Sequence, residues 1–166
     1  MTDLALRWDP DRFAADLVLE GGALATDDGL RSAILISLFS DARAPDAAEL
    51  PEAGGDRRGW WGDASSADTG NLLVAHDDPR NFIGGLLWLL GRSKVTQAVI
   101  QRARQHASEA LDWILRDGIA SSIDVEVEAQ FTAAGEAPQR LAIGVNLTRP
   151  GGPDRQRFDF VWEAST

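Results

Sequence analysis

The sequence predicts an α+β protein, and three observations carry that prediction. Between Ile123 and Trp162, three stretches alternate apolar and polar residues with period two. Upstream, residues 26–39 and 96–115 repeat apolar residues at helical spacing. Near the start, Gly21-Gly22 separates two short alternating runs, which is hairpin-turn chemistry. Together they predict an N-terminal β-hairpin, about three helices and a C-terminal three-stranded antiparallel meander. One domain is expected over residues 1–166, with a long loop excursion at about 41–81.

The first run, "LALRWD", places Leu4, Leu6 and Trp8 on one face. Leu17 and Leu19 alternate again before Gly21-Gly22. Glycine accepts the positive φ that a two-residue turn requires, and an irregular loop is the competing reading. In "TDDGLRSAILISLF", Thr26, Asp27 or Asp28 supplies an N-cap oxygen for a helix. Leu30, Ala33, Ile34 and Leu38 fall on one face, and Ile36 and Phe39 widen it, so this helix is expected to be largely buried. "NFIGGLLWLLGR", residues 81–92, reads as a short apolar helix weakened by Gly84-Gly85 and ended by Gly91. The next helix starts at the N-cap candidate Thr96. Its stripe is Val99, Ile100, Ala103, Ala107, Ala110, Leu111 and Ile114, and Gly118 stops it.

In the last third, Ile123, Val125, Val127, Ala129 and Phe131 alternate with Asp124, Glu126, Glu128 and Gln130. Leu141, Ile143, Val145 and Leu147 repeat the pattern, as do Phe158, Phe160 and Trp162. The connections "AAGEAP" and "RPGGPD" are turn-rich and short. Short connections favour antiparallel pairing, with one face on the helices and one in water.

Composition narrows the function. The net charge is −10, and Lys94 is the single lysine, which argues against nucleic-acid binding. With no cysteine, disulfides and thiolate chemistry are excluded. No window is apolar and long enough for a membrane span, and the first residues do not read as a signal peptide. No phosphate-cradling glycine motif occurs and no cofactor is expected. His76, ahead of Asp77-Asp78, reads as a polar loop residue rather than a metal ligand. His106 reads as a boundary residue of its helix. Glycoside cleavage needs a carboxyl in an apolar cleft with a second one nearby, and no acid here has that context. No catalytic residues are assigned.

The excursion at 41–81 contains "GDRRGWWGD", residues 55–63. Tryptophan and arginine are enriched in interface hot spots, so Arg57, Arg58, Trp60 and Trp61 are the candidate partner-binding residues. Packing of the rings into the core is an equal alternative. Adjacent side chains in extended backbone point opposite ways, so the two rings need not share a fate.

"GGALATDDGLRSAILISLFSDARA", "LPEAGGDRRGWWGD" and "LLWLLGRSKVTQAVIQRARQHASEALDWILRDGIASSIDVEVE" resemble, in order, the Mu-like phage tail protein family of the gene-product-forty-six type. The most specific pieces are "DRRGWWGD" and "WLLGRSK". That family is related to the small baseplate wedge protein of the T4 gene-product-twenty-five type, which has counterparts in type VI secretion and other contractile injection systems. The resemblance implies a non-enzymatic baseplate component that helps assemble the baseplate and seat the tail sheath. It implies baseplate and sheath proteins as partners. It implies residence in the virion tail after assembly in the host cytoplasm. In the wider family the sheath attaches by strand exchange, which needs an exposed sheet edge. The wider family carries a Glu-Pro-Arg motif before its first sheet strand. Here "LRDGIASSI" stands instead, and Asp78-Pro79-Arg80 falls before the helices, so that role is not carried over. The alternative function is a peptidoglycan-cleaving, lysozyme-like tail hydrolase. A generic acidic binding module of the host is a third.

Overall fold

A computed structural model describes residues 3–9, 11–12, 14–27, 29–60, 83–131, 140–151 and 155–163. Among them the N-terminal part is not one hairpin but three two-stranded ribbons. Strand β1 (Asp3–Leu4) pairs with β6 (Thr26–Asp27), β2 (Leu6–Asp9) with β3 (Ala14–Leu17), and β4 (Leu19–Glu20) with β5 (Ala23–Leu24). The ribbons meet at three residues. Ala5 N–H donates to Ala25 O at 2.9 Å, Ala25 N–H to Val18 O at 2.8 Å, and Val18 N–H to Ala5 O at 3.1 Å. This closed triangle satisfies both backbone groups of each junction residue. Gly21 and Gly22 form the two-residue turn of the β4–β5 ribbon, with φ of 58° and 85°.

Helix α1 (Leu30–Phe39) follows without the expected cap. Thr26 and Asp27 are drawn into β6, and Gly29, at φ 80°, takes the N-cap position with no side-chain bond. Asp28 lies outside the described residues. Leu30, Ile34, Leu35 and Leu38 are buried, and so are Ser32 and Ser37. Both serines are satisfied, as buried hydroxyls must be. Ser32 Oγ accepts from Leu6 N–H at 3.2 Å and donates to Leu4 O at 3.1 Å. Ser37 Oγ donates to Ala33 O at 2.9 Å and accepts from Trp113 Nε1 at 3.0 Å. These bonds tie α1 to the N-terminal ribbons and to the next helix.

The helix predicted over 81–92 is absent. Only Leu87–Leu90 winds, as one 3-10 turn; Asn81 and Phe82 lie outside the described residues. Gly84 sits at φ 101°, outside helical backbone, and a Cβ there would lie 2.3 Å from Ser40 O. Gly85 instead makes a parallel bridge to Asp41. The described residues therefore hold two α-helices and a 3-10 turn, not about three helices, within an α+β architecture.

Helix α2 (Gln97–Arg116) has both predicted ends. Thr96 Oγ1 accepts from Val99 N–H at 3.3 Å. At the other end Gly118, at φ 70°, donates to Leu115 O, and Ile119 N–H donates to Ile114 O, each at 3.0 Å. That pair of bonds is the Schellman ending, which favours glycine in the left-handed position. Ala103, Ala107, Leu111 and Ile114 are fully buried.

Strands β7 (Ser122–Gln130), β8 (Arg140–Thr148) and β9 (Arg155–Glu163) form the antiparallel meander in the order β7-β8-β9. The turn "AAGEAP" lies outside the described residues. Leu141, Ile143, Val145 and Leu147 of β8 line the inner face, each 1% exposed or less. Full burial of such a side chain contributes about 1.5–3 kcal/mol. Val125 and Phe160 flank them, and α1, α2 and Leu87–Leu90 cover them. Trp8 stacks on Phe39 at 4.3 Å, and Phe39 meets Phe160 edge-on at 5.7 Å.

The outer face is polar, and Glu126 and Asp159 there share one arginine. Arg157 bonds Glu126 and Asp159, both at 2.8 Å, by crossing Gly144. The hydrogen bond to Glu126, then that to Asp159, raises the Arg157 pKa above its ordinary value. Both outer strands are sheet edges. The edge of β9 is closed at Val161, whose carbonyl accepts from Trp8 Nε1 at 2.7 Å.

Candidate partner-binding loop

The described half of the excursion, residues 41–60, is held by specific bonds rather than left structureless. The bridge at Asp41 starts it: Ala42 N–H donates to Gly85 O at 3.0 Å, and Gly85 N–H to Ser40 O at 2.9 Å. Trp88, buried in the 3-10 turn, donates from Nε1 to Ala42 O at 2.9 Å. Farther along, Ala44 N–H donates to Arg57 O at 2.9 Å, which closes the segment on itself.

Both arginines of "GDRRGWWGD" are engaged within the chain. The Arg57 guanidinium donates to Pro45 O, and to Asp46 O at 2.7 Å. The Asp46 carboxylate lies 3.8 Å away. Arg58 takes the left-handed backbone at φ 54°, with its N–H donating to Asp56 Oδ1 at 3.1 Å. Its guanidinium reaches Asp41 Oδ2 at 2.7 Å and lies 4.5 Å from the centroid of Trp88. A cation over an indole face is attracted by the ring quadrupole. Gly59, at φ 111°, packs against Arg43, whose Cβ is 3.0 Å from where a Cβ would sit. Trp60 then emerges 40% exposed. Trp61 lies outside the described residues, as does His76.

The arrangement joins Arg57, Arg58 and Trp60 in one ordered turn, with Asp41 and Trp88 as partners that sequence spacing did not reveal. Below it a cleft of about 570 Å³ opens between the loop and the core, with Asp41, Glu52, Asp56, Arg58, Arg92 and Glu163 in its lining. Four of these charges pair off: Arg58 with Asp41, and Arg92 with Glu52, each at 2.7 Å. The Trp88 face is already occupied by Arg58. Among the described residues no group of His, Asp and Glu is placed to hold a metal ion. His106, on α2, faces Glu109 at 3.6 Å. The geometry is that of a preorganised surface turn.

The family model described as phage protein GP46 matches residues 30–154, which contain this loop, both helices and most of the sheet. The chain belongs to that family. Two GP46 relatives are similar along most of their length. "Baseplate protein gp46" of Escherichia phage Mu is 43% identical over 128 residues, 77% of this chain and 78% of the relative. "Mu-like prophage FluMu protein gp46" of Haemophilus influenzae is 33% identical over 157 residues, 95% of this chain and 94% of the relative. No solved structure matches the chain. The resemblance read from "DRRGWWGD" and "WLLGRSK" is therefore kinship with the GP46 proteins.

Proposed function

We propose that this protein is a non-enzymatic structural component of the baseplate of a Mu-like contractile tail. It acts as a wedge subunit that helps assemble the baseplate and seat the tail sheath. Its kinship with the phage Mu chain named a baseplate protein carries this reading. Its place of action is the virion tail, reached after assembly in the host cytoplasm.

The sheet supports the sheath-seating part. Val161 turns its carbonyl away from β8, so its partner Ala142 faces β7. Alternation along β7 then directs the backbone groups of Ile123, Val125, Val127 and Ala129 outward. Among the described residues no further hydrogen bond reaches them. An incoming strand gains a ready ladder there.

The loop supports the assembly part. Arg57, Arg58, Trp60 and Trp61 form the partner-binding element, with the arginines setting the shape of the turn and tryptophan supplying the anchor chemistry. Replacing both tryptophans with alanine is expected to impair baseplate assembly while leaving the monomer melting point nearly unchanged. A loss of about 3–5 kcal/mol on melting would instead make them core residues.

The decisive experiment is complementation of a phage lacking this gene. Tails recovered by the wild-type chain should contain it, and tails without it should lack sheathed baseplates. The purified protein should leave peptidoglycan intact in a zymogram. Clearing that one carboxylate-to-amide change abolishes would replace the structural reading with hydrolysis.

A further inference from the structure

We propose that the cleft beneath the loop of residues 41–60 seats an arginine side chain presented by a neighbouring tail subunit. This deepens the partner-binding reading of the loop: the neighbour rests on the baseplate function, and the chemistry rests on the cleft alone.

The first observation is an unmatched carboxylate. The lining of this cleft of about 570 Å³ holds four acids, Asp41, Glu52, Asp56 and Glu163, against Arg58 and Arg92. Arg58 takes Asp41, Arg92 takes Glu52, and Arg140 takes Glu163 at 3.1 Å. Asp56 is left over. Its Oδ1 accepts the backbone N–H of Arg58, and no cation pairs with it among the described residues.

The second observation is an unspent indole. Trp8 and Phe39 stack on each other, and Trp88 lies under Arg58. Trp162, the fourth ring of the lining, is half-buried. Among the described residues it has no aromatic or cationic partner and no acceptor for its indole N–H. Trp8, Trp88 and Trp113 all donate theirs. A ring and a carboxylate that share one cleft suit a planar guanidinium, through the ring quadrupole and charge-assisted hydrogen bonds. The cleft already uses that chemistry once, where Arg58 lies over Trp88 and bonds Asp41.

Other ligand classes fit less well. An anion would have to displace Asp41 or Glu52 from arginines bonded at 2.7 Å. A sugar ring needs a broad open aromatic face, and three of the four rings are engaged. The net charge of −10 favours encounter with a basic partner. Asp56 and Arg58 also belong to "GDRRGWWGD", so the turn that forms the partner-binding element is itself part of the cleft wall.

The test titrates the purified full chain with the peptide acetyl-Gly-Arg-Gly-amide and follows the NMR signal of the Trp162 indole N–H, assigned by its loss in Trp162→Phe. The expected result is a saturable shift in the millimolar range. The matching citrulline peptide, which keeps the shape and lacks the charge, should shift it less. Asp56→Asn retains an oxygen for the Arg58 N–H and removes only the charge. It should leave melting unchanged, weaken the arginine peptide about three-fold or more, and lower incorporation into tails in the same direction. No shift with the arginine peptide, or an equal shift with the citrulline peptide, overturns the proposal. So does undiminished peptide binding or wild-type incorporation by Asp56→Asn, which leaves the baseplate reading intact. A shift with a muropeptide but not with the arginine peptide overturns it in favour of a carbohydrate site. Absence of the wild-type chain from purified tails overturns the baseplate reading and the tail partner with it, while the titration still decides the chemistry of the cleft.

Discussion

At the scale of single residues, two glycines show how differently the same missing Cβ is used. At Gly84 a methyl group would lie 2.3 Å from the backbone oxygen of Ser40, on a φ of 101°. Backbone cannot swing aside, so both strain and overpacking apply. Gly84→Ala is expected to cost about 3 kcal/mol or more in denaturant melts. At Gly144 the added carbon would meet Arg157 Nη2 at 2.7 Å, the far end of a flexible side chain. Gly144→Ala should cost less than about 1 kcal/mol, because the guanidinium is exposed and moves. Its signature is loss of the Arg157–Glu126 contact in a crystal or NMR structure, not a lower melting point. The arginines of the loop make the complementary point. Their partners are the carbonyls of Pro45 and Asp46, the carboxylate of Asp41 and the ring of Trp88, brought together by folding. No spacing rule reaches from Arg58 to a ring 30 positions along, so that part of the site was not legible in the sequence.

At the scale of elements, legibility follows the length over which one rule acts undisturbed. Helix α2 offers twenty residues, an N-cap and a glycine stop that agree. Thr96→Ala should therefore cost about 1 kcal/mol, and Thr96→Ser close to nothing, in thermal melts. The meander offers nine residues per strand with clean alternation, and its faces fall as the pattern predicts except at Phe131, which lies past the end of β7 and is 61% exposed, and at Asn146, which is buried. Where rules compete, the sequence misleads. Thr26 and Asp27 could cap a helix or pair in a strand, and pairing with Asp3 and Leu4 draws them into β6. In residues 81–92 an apolar run suggests a helix, but the left-handed Gly84 and the Gly85 bridge leave one turn. Strands of two residues, such as β4 and β5, are shorter than any period that could reveal them. Only their Gly-Gly turn was readable.

At the scale of the whole molecule, one core joins α1, α2, Leu87–Leu90 and the inner face of the sheet. Leu111 is fully buried at that junction. Leu111→Ala should lower stability by about 2–5 kcal/mol, read as a shift in the denaturant midpoint at constant slope. The N-terminal ribbons are fastened to this core by few groups, chiefly Trp8, Leu6 and the Ser32 hydroxyl. One of those fastenings sets an order of events. The Trp8 indole and the Val161 carbonyl are 153 positions apart, yet bonded at 2.7 Å. The ribbons themselves need only contacts among the first residues synthesised, and such local contacts close early. Phe39 is available early to stack on Trp8, but the Val161 acceptor does not exist until β9 has left the ribosome and paired. Trp8 therefore spends nearly the whole of translation waiting for its acceptor. A chain halted before Val161 would lack this fastening of its N-terminal junction, and is expected to be cut by protease faster than the finished chain.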